Sequence, residues 1–186
     1  MPSGQPMKRL AALAAAFVVG VLANGCATVA PLGPAALGES LSGRLALKVE
    51  AIGSEPARAF SSSFDLRGDS QSGALGLSTP LGSMLAQARW SPGEVVLMTP
   101  QGTRRFADLD ALTRETFGES VPVEAWFDWL RGRPWPAAPS TAAANVAAFE
   151  QLGWSVDLAR FGEGAVSATR RLPEPAVTVR IQLDRS

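Results

Sequence analysis

The chain has 186 residues with 17 basic and 17 acidic side chains, no histidine and a single cysteine near its amino terminus. Such a balance leaves no electrostatic footprint for nucleic acid and no polybasic strip. Without histidine or a second cysteine, the commonest general base, the usual zinc ligands, an activated thiol nucleophile and any intrachain disulfide are gone, so no catalytic residue, metal or cofactor is expected.

At the amino terminus Lys8 and Arg9 precede an uncharged run rich in Ala, Leu and Val over residues 10–23, which is the layout of a secretory signal. The run falls short of the ~20 apolar residues that a membrane-spanning helix needs. It closes on Leu22-Ala23-Asn24-Gly25-Cys26, which resembles the lipobox at which bacterial lipoprotein signals are cut and the cysteine is acylated. Leu22 stands one place further from the cysteine than in the commonest pattern, and Ala23 takes its position. Cleavage before Cys26 is expected, which removes residues 1–25 and leaves a covalent diacylglycerol on the sulfur and an acyl chain on the new amino group. The competing reading of Cys26 is a buried or unpaired thiol. Ala27 follows, where bacterial lipoproteins kept in the inner membrane often have Asp, so the expected destination is the outer membrane. From Cys26 to Gly38 the chain is rich in Pro, Gly and Ala without periodicity, a flexible tether over residues 26–38. Residues 39–186 then form one domain, long enough for a proper core and short for two.

Strands open that domain. Leu41, Gly43, Leu45, Leu47 and Val49 alternate with Ser42, Arg44, Ala46, Lys48 and Glu50, the period of two of a half-buried strand. After a turn at 53–56 the alternation returns in Phe60, Ser62, Phe64 and Leu66. Turn residues at 67–73 lead to short strands around Leu75 and Leu77, over 84–90 and over 95–98. Asp108 or Asp110 can cap a helix through Leu109, Leu112 and Phe117 that stops at Gly118. A second helix, unusually aromatic in Trp126, Phe127 and Trp129, starts near Pro122 and runs to Leu130. Residues 134–145 read as a loop, and strands return over 146–152, 154–160, 165–172 and 177–183. The total is an α+β layout, an antiparallel meander closing toward a barrel or half-barrel and interrupted once by two helices.

Three motifs have competing readings. Gly68-Asp69-Ser70 resembles the Gly-Asp-Ser block of an esterase and lipase family, but that chemistry needs a histidine to take the serine proton, and the segment reads as a turn. In Thr79-Pro80-Leu81-Gly82-Ser83 the glycine permits a sharp reversal, and Leu81 either tucks into the core or protrudes. Trp90, Trp126, Trp129, Trp135 and Trp154 either fill a core or line an apolar cavity.

Taken in order, Cys26, Gly43-Arg44-Leu45, Ser78-Thr79-Pro80-Leu81-Gly82-Ser83, the segment from Pro122 through Trp126-Phe127-Asp128-Trp129-Leu130 to Gly132, Gly153-Trp154-Ser155-Val156 and Leu172-Pro173 resemble the LolB family of outer-membrane lipoprotein receptors. The likeness spans nearly the whole chain after the leader, although Ile181-Gln182-Leu183-Asp184 lacks a tryptophan often found there. The resemblance implies an open, curved antiparallel sheet, a LolA/LolB-like half-barrel, with the helices as a lid over a hydrophobic cavity. It implies a monomeric receptor, anchored in the outer membrane by Cys26 and facing the periplasm. Such a receptor takes triacylated lipoproteins from the soluble carrier LolA and places them in the inner leaflet, with no nucleotide, metal or covalent change. Within that fold, alternation and helix position make Leu45, Leu47, Phe60, Phe64, Trp126 and Trp129 the candidate cavity lining. Pro80, Leu81 and Gly82 match the family's membrane-insertion loop, which favours a protruding Leu81. The alternatives are a half-barrel lipoprotein with another cargo, such as free lipid or glycolipid, and a structural outer-membrane lipoprotein whose aromatic residues only fill a core.

Overall fold

The computed structural model describes residues 40–143 and 147–184, so the expected leader, Cys26 and the tether lie outside the described residues. Six strands come first: β1 (Ser40–Val49), β2 (Arg58–Gly68), β3 (Gly73–Ser78), β4 (Met84–Ser91), β5 (Glu94–Thr99) and β6 (Gly102–Phe106). Helices α1 (Leu109–Phe117) and α2 (Val123–Trp129) follow. Five more strands complete the chain: β7 (Ser140–Ala142), β8 (Ala148–Gln151), β9 (Trp154–Asp157), β10 (Ala165–Arg170) and β11 (Val177–Leu183). They form one antiparallel sheet in the order β6-β5-β4-β3-β2-β1-β11-β10-β9-β8-β7. The two meanders are therefore sewn together in the middle, where β1 pairs with β11 from Gly43 opposite Leu183 to Val49 opposite Val177. β6 and β7 each pair on one side among the described residues, so the sheet is open.

Alternation decides which face is buried. Leu45, Leu47 and Val49 of β1, Phe64 and Leu66 of β2, and Val177, Val179 and Ile181 of β11 are all buried, while Arg44, Ala46 and Lys48 face out. The structure adds two strands to those expected and shortens a third. Residues 134–145 are not all loop, because Ser140–Ala142 pairs with β8, and β6 is a strand that hydrophobic periodicity does not reveal. Both are edge strands with almost wholly exposed side chains, so neither has a buried face to write an alternation. The expected strand over 154–160 stops at Asp157, whose Oδ1 accepts the Ala159 N–H at 2.8 Å and turns the chain.

Helix α1 begins where Asp108 Oδ1 accepts the Ala111 N–H at 2.7 Å, and ends where the Gly118 N–H reaches the Arg114 carbonyl at 2.8 Å. Asp108 is thus the cap and Asp110 lies in the first turn. In α2 every residue but Glu124 is buried. One short helix tells the shape of the sheet. Phe127 packs on Trp90 of β4 at 5.9 Å between ring centres, and two residues on Trp129 packs on Phe149 of β8 at 6.3 Å and Trp154 of β9 at 6.4 Å. β4 and β9 are six places apart in the sheet, about 29 Å across a flat one at 4.8 Å per strand. A seven-residue helix is about 10 Å long, so the sheet curls around α2 to bring both flanks to it.

Candidate functional site

The Leu81 turn is built from its ends inward. The Gly82 N–H donates to the Thr79 carbonyl at 2.9 Å, the Thr79 N–H to the Ser83 carbonyl at 2.9 Å, and the Ser83 N–H to Thr79 Oγ1 at 3.1 Å. Pro80, its φ fixed by the ring, occupies the second position. Gly82 lies at φ +85°, the left-handed residue that lets a three-residue hairpin loop rejoin its strand. Leu81 is left at the tip with its backbone secured on both sides, and its side chain is 96% exposed. Met84, also exposed, stands just behind it at the start of β4.

The six candidate lining residues share the inner face of the sheet and α2. Leu45, Leu47, Phe64, Trp126 and Trp129 belong to one contiguous apolar cluster, and Phe60 is partly buried against it with its ring 5.8 Å from that of Phe117. Trp126 and Trp129 are only 3% and 2% exposed. A side chain bordering a space wide enough for an acyl chain would be reached by water, so in this conformation these residues pack on one another. A groove of about 970 Å3 counts Leu45 and Phe64, but none of the other four, among its lining. Arg44, Ala46, Ser61, Ser63, Arg180 and Gln182 line it from the outer face, and Pro80 closes one side. Its lining mixes charged and polar side chains with apolar ones, Val166 and Ile181 among them.

Two polar latches hold the helices down. In β8, Gln151 is an inward residue amid apolar ones. Its Oε1 accepts Trp129 Nε1–H at 2.7 Å and the Trp135 N–H at 2.9 Å, while its Nε2 donates to the Trp135 and Ala138 carbonyls at 2.7 and 2.8 Å. All four positions of the amide are used, tying the end of α2 and the segment after it to the sheet. In β10, Arg170 follows Val166 and Ala168 on the inward side. It pairs with Glu119 at 2.5 Å, in the connection between the helices, and stacks over Trp154 at 5.8 Å. Sequence reasoning set neither residue apart, although an inward polar side chain in an otherwise apolar alternation was the available sign.

Glu124, at the start of α2, is half-buried. Burial pushes its carboxyl above the usual range, with Asp108 and Asp110 adding to the rise and a backbone hydrogen bond opposing it. Among the described residues no group of acidic side chains is arranged to hold a metal ion, and no helix is long and apolar enough to cross a membrane.

With this geometry in view, comparison with known proteins is informative. The family model described as Outer membrane lipoprotein LolB matches residues 40–185. The chain is 36% identical to the outer-membrane lipoprotein LolB of Bordetella petrii, over 88% of its own length and 87% of the relative's. It is likewise 36% identical to that of Bordetella parapertussis, over 96% and 93%. To that of Thiobacillus denitrificans it is 31% identical, over 96% and 97%.

Proposed function

The chain belongs to the LolB family of outer-membrane lipoproteins, and from that premise we propose that it is the receptor that accepts lipoproteins from the periplasmic carrier LolA and inserts them into the inner leaflet of the outer membrane. Acylated Cys26 holds it at the destination, facing the periplasm. Its cargo cannot cross water unaided, because each methylene exposed costs ~0.8 kcal/mol and a triacylated protein carries three long chains. Transfer without an energy source runs downhill, so the receptor must hold acyl chains more tightly than the carrier does, and the bilayer more tightly still.

The observation that carries this reading is Leu81, a large apolar side chain 96% exposed on a secured turn. A lone exposed leucine is ordinary on a protein surface, but one held almost fully outward on a turn secured by its own backbone is placed to enter a lipid surface. The inner face supplies the other half. Leu45, Leu47, Phe60, Phe64, Trp126 and Trp129 line the acyl site once α2 lifts from the sheet, with α2 serving as the lid.

The test uses vesicles carrying the acylated receptor and LolA loaded with radiolabelled lipoprotein. The parent should move label into the bilayer. Leu81→Glu should fold, take label from LolA and hold it, with delivery falling about tenfold or more because burying one leucine is worth roughly 1.5–3 kcal/mol. Normal delivery by the folded variant would remove the role given to the turn. A second reading, a structural outer-membrane lipoprotein, is favoured by the mutual packing of the inner aromatic residues. It becomes the better one if the parent takes no label from LolA.

A further inference from the structure

Six large apolar side chains are exposed among the described residues: Ile52, Leu81, Met84, Leu152, Phe161 and Leu172. Strand direction alternates without a break along the sheet, so the β1–β2, β3–β4, β5–β6, β8–β9 and β10–β11 hairpins all turn at one rim, and β2–β3, β4–β5 and β9–β10 turn at the other; of the first group only β5–β6, through Pro100 and Gln101, carries no large apolar residue. Ile52 belongs to β1–β2, Leu81 and Met84 to β3–β4, Leu152 to β8–β9 and Leu172 to β10–β11. Five of the six therefore share a rim, and only Phe161 belongs to the opposite one. At that opposite rim the β2–β3 and β4–β5 turns are Asp69, Ser70, Gln71 and Ser72, and Pro92 and Gly93, while the longer β9–β10 connection carries Phe161. Small and polar turn residues are the ordinary choice, so the apolar rim needs a reason.

Leu152 sharpens the point. It stands at φ +55° beside Gly153 at +78°, in a two-residue hairpin turn. That backbone suits Asn, Asp or Gly, and a leucine is seldom found there. The chain accepts an ill-suited residue and thereby holds an apolar side chain outward, and strain of this kind points toward function. Leu172, between Arg171 and Pro173 in the β10–β11 turn, is 75% exposed.

We propose that the whole hairpin rim, and not the Leu81 turn alone, is the face that sits on the lipid surface, with Ile52, Leu152 and Leu172 entering the headgroup layer beside Leu81 and Met84. This rests on the membrane role given to Leu81 above. The tips are carried by hairpins spread from β3 to β9, and a bilayer can meet them all at once. Charge is balanced there, Glu50, Glu55 and Glu174 against Lys48, Arg58 and Arg171, with Lys48 and Glu50 paired at 2.8 Å. Insertion is therefore apolar in origin, needs no anionic lipid and survives high salt.

The experiment places one new thiol in the full acylated chain, by Ile52→Cys, Leu81→Cys, Leu152→Cys or Leu172→Cys, with Gln71→Cys on the opposite rim. Each is labelled with a polarity-sensitive fluorophore and reconstituted in phosphatidylethanolamine–phosphatidylcholine vesicles containing spin-labelled lipid. The unsubstituted chain, whose one thiol is acylated, gives the background. Quenching at 52, 152 and 172 comparable with that at 81, and several-fold above that at 71, is expected in low and high salt. Quenching at 81 alone would overturn the rim while leaving the turn's role standing, and quenching nowhere would overturn both. Equal quenching at 71 would overturn the orientation. Probes at 52, 152 and 172 that stay in water until LolA is added would make the rim a protein-docking face instead. Leu152→Asn supplies an independent check. It should raise Tm, because the residue suits the backbone, and should weaken quenching of probes on the neighbouring tips; no change in quenching would count against the proposal.

Discussion

Gly43 sits where the first and last strands come closest. A Cβ there would lie 2.1 Å from the Gln182 carbonyl oxygen, a backbone atom that cannot step aside. Gly43→Ala should therefore destabilise the domain by about 1–3 kcal/mol, the usual cost of overpacking, as read by chemical denaturation. Glu124 works the other way. Its folded carboxyl is raised above the unfolded value, so ionisation is penalised in the native state and stability is gained as pH falls through the folded pKa. Glu124→Gln should melt higher than the parent at pH 7, with the gap closing in acid; a lower Tm at pH 7 would show that the charge contributes to the fold. Residues differ in how openly the sequence declares them. Alternation alone left Leu81 free to point either way, because a turn has no period, and only the hydrogen bonds that pin Thr79, Gly82 and Ser83 settle its exposure.

Among the elements, those with a strict inside and outside were legible. β1, β2 and β11 sit in the middle of the sheet, bury most of one face, and write that fact as alternation. β6 escaped because Arg104 and Arg105, on opposite faces of the strand, are both exposed, the first pairing with Glu115 and stacking over Phe106, the second pairing with Glu94 at 3.2 Å. Its pairing with β5 is a backbone matter, invisible to side-chain pattern. α2 was legible as a helix, but what fastens it was not, since Gln151 follows in sequence only after a long connection. Gln151→Leu keeps the volume and strands the Trp129 indole N–H and the Trp135 amide. Each buried donor left unpaired costs ~1–3 kcal/mol, so the domain should lose about 3 kcal/mol. Hydrogen exchange should rise first in the amides of α2 and of residues 135–138. Uniform loosening of the whole sheet would show that Gln151 is not a local latch.

For the molecule as a whole, the fold class and the family were within reach of the sequence because the motifs that carry them are spread through the domain in fixed order, and the match over residues 40–185 shares that breadth. The closed packing of the inner face was not, since alternation says which side chains point inward and nothing about whether they meet. One feature of the topology governs time as well as shape. β1 pairs with β11, strands about 130 residues apart in the chain. Contacts of such long range form slowly, since the loop between them must close before any pairing rewards it. Until the final strand is in place, β1 and β10 each lack a neighbour, and unpaired edges of that kind invite aggregation. A chain ended before Val177 should accordingly show no native near-ultraviolet tryptophan signal and should aggregate; a soluble, native-like truncation would show that the first meander folds alone. The last strand to be made thus closes the seam, and a chain that stops short of it never acquires the curved inner face at all.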